Sequence, residues 1–162
     1  SHPLGETLEA FESLKSAGKI GGYGVSNFDT GEMEAWERMA GPGNCQTDQV
    51  LYNLTRRGIE WDLVPWARDR AMPLMAYSPL EQGRLQDPVL DEIGRKHGVS
   101  PAQVALSWVL RDTNMIAIPK ASGLDHVKAN HAARKLVLDA EDLSLLDSVF
   151  PPPGHKTALE VL

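Results

Sequence analysis

Six side chains able to hydrogen-bond or carry charge stand where β-rich stretches of this sequence run out: Ser26, Asn27, Gln49, Tyr77, Ser78 and Lys120. They offer hydroxyls, carboxamides, a phenol and an ammonium, which together can donate to and accept from one polar ligand. Each also has an ordinary alternative. Ser and Asn often cap turns, and a tyrosine at a strand end often packs into a core. Other chemistries are disfavoured by spacing. His126 and His131 are five apart, so on a helix they diverge by about 140° instead of sharing a face. No Cys/His cluster has ligand spacing, and no metal is expected. Cys45, the single cysteine, has no base near it in sequence and reads as a small residue at a strand entrance. A lone cysteine excludes an internal disulfide and suits a reducing cytoplasm.

The elements that must position these groups follow from the rest of the chain. With 42% apolar residues in 162, there is enough for a core. A net charge of −6 argues against general nucleic-acid or membrane-surface binding but leaves room for a small anion held by local cations and helix N-termini. Charged residues or proline interrupt every apolar run before ~18 residues, so no membrane span is expected. The first residues carry neither a signal core nor an initiator Met, and the chain is expected to derive from something longer.

Strand-then-helix units occur four times. Residues 22–27 form the first strand candidate; Asp29 and Glu32 then suit a capping box, with Met33, Trp36 and Met39 or Ala40 at helical spacing. The second strand spans about 47–52, and its helix, about 60–70, is expected to bury Leu63, Val64, Ala67 and Ala71, with Pro65 tolerable only near the first turn. The third strand, 73–77, leads into a polar loop over 78–85. A helix over 88–97 stops at Gly98, and another opens at Ser100-Pro101-Ala102-Gln103, a capping box with Pro at the first helical position; Val104, Ala105, Trp108 and Val109 face inward. The fourth strand, 115–118, is continuously apolar, as expected if both faces are covered, and a helix through Val127 and Asn130 follows. An amphipathic helix over 6–17, with Leu8, Phe11 and Leu14 on one side and Gly18 as stop, precedes all four units. A helix opening at Asp139, with Leu143, Leu146 and Val149 inward, comes after them. The Pro151-Pro152-Pro153 segment reads as a non-helical surface excursion.

Such alternation implies an α/β fold with a parallel sheet. An open doubly wound sheet should carry Gly-x-Gly-x-x-Gly at its first turn, and Gly22-Tyr23-Gly24-Val25-Ser26-Asn27 lacks the last glycine. A closed (β/α)8 barrel needs about 250 residues. Periodicity alone leaves the two architectures open.

The strand ends carry a family resemblance. Gly18-Lys19-Ile20 leading to Gly24-Val25-Ser26-Asn27-Phe28, then Gln49-Val50-Leu51-Tyr52-Asn53, Ala76-Tyr77-Ser78-Pro79-Leu80 and Ile118-Pro119-Lys120, resemble the aldo-keto reductases motif by motif and in order. Residues 52–60 and 81–84 are similar to those of bacterial reductases of small aldehydes and dicarbonyls. The resemblance implies a (β/α)8 TIM barrel of which this chain, one unit over 1–162 with a tail at 151–162, supplies strands five to eight as a half-barrel. It implies NADPH as cofactor and a small carbonyl substrate. Ser26, Asn27 and Gln49 would hold the nicotinamide carboxamide, and Tyr77 would stack on the ring. Ser78, Leu80, Gln82, Gly83 and Arg84 would belong to the loop over the pyrophosphate, with Gly83 allowing close backbone approach. Ile118 and Lys120 would meet the adenosine side, the lysine at the 2′-phosphate. Ala121 and Ser122 would open a helix whose free N–H groups favour an anion. His126 stands where many relatives have arginine, a weaker clamp that bears on NADPH over NADH preference. Asn130 matches an adenine contact. Asp48 departs from the family's usual Asn.

In that family a tyrosine donates the proton, tuned by a lysine and an aspartate, with a histidine orienting substrate. All four belong to the first four strands, so no catalytic residue is expected here and the isolated chain should be inactive. His2 reads as a loop residue just beyond the family histidine. A half-barrel would expose two sheet edges and an inner face, to be covered by the missing N-terminal half or a second copy. The alternatives are a non-catalytic NADPH-binding regulatory module and a homodimeric half-barrel. Residues 150–162 would border the substrate.

Overall fold

Each β-rich stretch becomes a strand in the computed structural model, which describes residues 3–162; the reading of His2 lies outside the described residues. The strands are β1 (Tyr23–Ser26), β2 (Cys45–Leu51), β3 (Leu74–Tyr77) and β4 (Met115–Ala117), all parallel and side by side in chain order. Parallel neighbours need crossovers, and helices supply them. Helix α1 (Leu4–Ser16) precedes β1, α2 (Thr30–Ala40) joins β1 to β2, and α3 (Leu63–Asp69) joins β2 to β3. Both α4 (Pro88–His97) and α5 (Pro101–Val109) lie between β3 and β4, and α6 (Leu124–Ala133) and α7 (Ala140–Val149) follow.

Local chemistry fixes the helix starts. Asp29 with Glu32 and Ser100 with Gln103 close full capping boxes, as their spacing predicts, and Asp139 with Asp142 forms a third. Pro65 falls in the first turn of α3, where its missing N–H costs nothing. Gly98 ends α4 in the left-handed conformation. At β1 the backbone of Gly24 presses on β2: a Cβ there would lie 2.5 Å from the Thr47 carbonyl oxygen. The pairing register shifts between Tyr23 and Val25 at this point.

One sheet face packs on the helices. Val50, Leu74 and Ala76 are buried with Leu63, Ala67, Leu90, Ile93, Val104 and Trp108. The register aligns Ser26 with Gln49, Gln49 with Met75, and Met75 with Ile116 on the other face, which is more open: Ile116 is 42% exposed. Among the described residues β4 is therefore covered on one face only, not on both as expected. Three smaller expectations also fail. Ala71 is exposed, at a left-handed turn after α3. Val149 and Leu14 are exposed at the ends of their helices. Residues 58–60 form a separate tight turn before α3 begins.

The outer layer is tied by a cationic stack. The Arg111 and Arg57 guanidinium groups lie 3.7 and 4.9 Å from the Trp108 ring centre. Arg57, 7% exposed, also pairs with Glu60 at 2.8 Å and Asp147 at 2.7 Å and donates to the Phe150 carbonyl. Beyond α7 the tail, 151–162, has no regular structure but returns to the body. Lys156 pairs with Asp62 at 2.7 Å, Glu160 pairs with Arg56 at 2.7 Å, and Leu159 is half-buried against the core. Among the described residues, no helix is long and apolar enough to cross a membrane.

Candidate functional site

Because the strands are parallel, their C-terminal ends form one rim. Ser26 and Asn27 stand at the end of β1, with the Ser26 hydroxyl donating to the Gln49 carbonyl at 3.0 Å and the Asn27 N–H to the same oxygen at 2.9 Å. Gln49 aligns with Ser26 and turns its amide nitrogen to the Met75 sulfur at 3.0 Å. Tyr77 ends β3 and aligns with Leu51. Ile118 continues past β4, its N–H bound to the Ala76 carbonyl at 3.2 Å, and Lys120 follows two residues later. The structure thus brings Ser26, Asn27, Gln49, Tyr77, Ser78, Ile118 and Lys120 to the same end of the sheet.

Backbone strain gathers at this rim. Asn27 (φ 57°), Ser78 (φ 47°), Glu81 (φ 47°), Gln82 (φ 56°) and Gly83 (φ 80°) are all left-handed. Such conformations in residues other than glycine persist where the surroundings over-determine them. For the loop after β3 the determinant is Asn53, whose amide donates to the Ser78 carbonyl at 2.9 Å and to Glu81 at 2.8 Å. Glu81, 6% exposed, also receives Arg56 and Arg84, each at 3.1 Å. Burial alone would raise the Glu81 carboxyl; hydrogen bonds from Arg56, Asn53 and Arg84 outweigh it and hold the group below its ordinary value. Arg84 is therefore neither free nor simply solvated, since it also donates to the Gln82 side chain at 2.8 Å. Leu80 is half-buried beside it, and Gln82 and Gly83 are exposed.

Two neighbouring buried acceptors have no partner: Asn27 Oδ1, just past β1, and Asp48 Oδ2, on β2. Asp48 is fully buried, and its other oxygen accepts from the Phe28 N–H at 3.5 Å. Burial first, and the nearby Glu32 charge second among the raising effects, lift its carboxyl to about 7, against the lowering effect of the Phe28 and Asn27 N–H groups.

At the β4 side, Ala121 and Ser122 do not open the helix. Gly123 is the N-cap and α6 starts at Leu124, with no side-chain cap on its N–H groups. Lys120, Ser122 and His126 are exposed, and Ala121 and Asn130 are half-buried. His126 and Asn130, four apart, share a helix face.

Sequence spacing missed a second polar cluster, because its members lie on two helices. His97, Asp139 and Asp142 bring one ligand atom each within 4.8 Å of one another. The Lys96 ammonium already sits among them, 2.8 Å from Asp139 and 2.7 Å from Asp142, so the group is an ion-pair network. Asn53 and Glu81 were also missed as the pins of the β3 loop, although both fall within motifs quoted above.

The model of the Aldo/keto reductase family matches residues 1–150. The chain belongs to the aldo/keto reductase family. It is 44% identical over 163 residues to methylglyoxal reductase YeaE of Escherichia coli K12, covering 97% of this chain and 57% of that protein. It is 31% identical over 158 residues to methylglyoxal reductase DkgB of Escherichia coli O157:H7, covering 92% of this chain and 57% of that one. The crystal structure of an aldo-keto reductase from Klebsiella pneumoniae in complex with NADPH superposes with a TM-score of 0.94 at 45% identity, over 100% of this chain and 59% of that one. The chain therefore spans somewhat over half the length of the relatives it matches.

Proposed function

We propose that the protein is an NADPH-dependent reductase of small aldehydes or ketones, acting in the cytoplasm. In this reading the 162 residues supply strands five to eight of a (β/α)8 barrel. They carry most of the cofactor site and none of the proton-donor residues. The observation that carries it is the convergence of Ser26, Asn27, Gln49, Tyr77 and Lys120 on one rim, the end of the strands where such folds bind ligands.

The residues present fit a nicotinamide dinucleotide. Asn27 Oδ1 is buried and lacks a donor, as an acceptor awaiting an amide N–H would be. The Ser26 hydroxyl and Gln49 amide flank it across the β1–β2 register. Tyr77, half-buried at the end of β3, offers a ring face on which a flat heterocycle can stack. Lys120 and the uncapped N-terminus of α6 favour a phosphate. When bound, the nicotinamide supplies the hydride; this chain's residues orient it and hold its phosphates. Ser78, Leu80, Gln82, Gly83 and Arg84 would line the pyrophosphate side, and Ile118, Ala121, Ser122, His126 and Asn130 the adenosine side.

The more open sheet face, with Ile116 42% and Ile118 39% exposed, supports a body that continues beyond these strands, through a complementary half or a second copy. Fluorescence titration with NADPH, with NADH in parallel, tests the cofactor site; saturable binding is expected. The absence of binding would overturn the assignment. Measured with a small dicarbonyl, these residues alone should give no turnover, and turnover would refute the division of roles.

A further inference from the structure

The tail and the loop after β3 share one side chain. Arg56 donates through Nη1 to Glu160 of the tail at 2.7 Å and through Nη2 to Glu81 of the loop at 3.1 Å. At the far end of the tail, the Leu162 N–H reaches the Tyr77 hydroxyl at 3.4 Å. Leading up to Glu160, residues Lys156 to Glu160 close a small cavity of about 20 Å³ against Asp29, Thr30 and Leu51. The tail therefore runs over the same rim as the residues assigned to the nicotinamide.

We infer that Arg56, Glu81 and Glu160 form a latch that makes ordering of the tail depend on the conformation of the β3 loop, with Arg84 as its exchangeable member. The inference rests on the cofactor reading given above. Glu81 is held on both oxygens: Oε2 takes the Asn53 amide, and Oε1 takes Arg56 and Arg84 together. Two guanidinium groups thus share one oxygen. If a phosphate draws Arg84 away, Oε1 is left to Arg56 alone, and the carboxylate–guanidinium bond tightens because its competitor has gone. Arg56 then keeps Glu160, and with it the tail, in register with the loop. The left-handed run Glu81-Gln82-Gly83 gives the loop a strained shape that holds only while its pins hold, so Arg56 meets a different partner geometry when Arg84 leaves. Arg56 acts through other residues and is a positioning residue. A tail stiffened in this way would firm the side of the carbonyl pocket that residues 150–162 border.

Hydrogen exchange of 78–84 and 156–162, measured by mass spectrometry on the intact protein with and without NADPH, tests this. Wild type, Glu160→Gln and Arg56→Lys are compared. In wild type NADPH should slow exchange in both segments, by about fivefold or more in the tail. In Glu160→Gln the cofactor should still bind and protect 78–84, while the tail no longer responds. Arg56→Lys, which can reach one carboxylate but not bridge two, should uncouple the segments and, in the complete reductase, raise KM for the carbonyl substrate more than it lowers kcat. Without ligand, Glu160→Gln should loosen the tail alone. The latch is overturned if tail protection in Glu160→Gln follows NADPH as in wild type, or if the wild-type tail ignores NADPH while 78–84 responds. Failure of wild type to bind NADPH overturns the cofactor reading instead, and the ligand-free comparison still decides whether Arg56 joins the two segments.

Discussion

Replacing Asp48 by Asn should stabilise the protein in a way that grows with pH. Asp48 is fully buried, with one oxygen weakly bound at 3.5 Å and the other without a partner. Its carboxyl is lifted from 3.8 to about 7, chiefly by burial. A raised folded-state pKa means that the folded protein holds the proton more tightly than the unfolded chain. Below pH 3.8 both states are protonated and the residue costs nothing. Between there and about pH 7 the unfolded chain ionises first, and folding loses about 1.4 kcal/mol for each pH unit. Above pH 7 the full penalty, on the order of 4 kcal/mol, is in place. A neutral amide of the same shape does not titrate. Part of the gain is lost if its N–H₂ finds no acceptor, so the net benefit at pH 8 should be about 2–4 kcal/mol. Urea unfolding followed by tryptophan fluorescence at pH 4, 6 and 8 measures it. The midpoint difference between Asp48→Asn and wild type should be near zero at pH 4 and largest at pH 8. A gain independent of pH, or a less stable variant at pH 8, would refute the argument from burial.

Other substitutions probe the remaining links. Gly24→Ala should destabilise by about 1–3 kcal/mol in the same assay, since its Cβ meets the Thr47 carbonyl at 2.5 Å between two paired strands; an unchanged midpoint would mean that β1 can move. Arg57→Met should cost about 3 kcal/mol, because it leaves Asp147 and the Phe150 carbonyl without their donor and strips one cation from Trp108; thermal melting checks this. Lys120→Met should weaken NADPH binding by about tenfold, the worth of one charge-assisted contact, and leave NADH nearly unchanged. Equal losses for both nucleotides would place the lysine away from the 2′-phosphate.

Much of the fold was legible because its signals are local. Asp29 with Glu32, and Ser100-Pro101 with Gln103, announce helix starts within four residues, and the structure closes both boxes. The alternation of apolar strands with amphipathic helices was enough for a parallel sheet, while the order of its strands came only with the family resemblance. Ile116 misled because a three-residue apolar strand reads the same whether one face is covered or two. Ala121 and Ser122 misled because Gly123, with no side chain to signal it, is the N-cap. That the candidate site residues stand on one rim follows from motif order, since strand ends are where order fixes position. The pairs around them were hidden. Arg56 and Glu160 are far apart in sequence, and Glu81 turns inward only because of left-handed residues no local pattern specifies. His97 meets Asp142 for the same reason, across two helices.

The stack on Trp108 has a practical use. An indole with two guanidinium groups 3.7 and 4.9 Å from its ring centre emits in the field of both, and one of those groups, Arg57, also grips the carbonyl at which the tail departs. Loosening of the chain at Phe150 would shift that field before any strand opens. With Trp36, Trp61 and Trp66 replaced by Phe, the colour of the remaining Trp108 emission would be an intrinsic gauge of tail attachment, readable without a label.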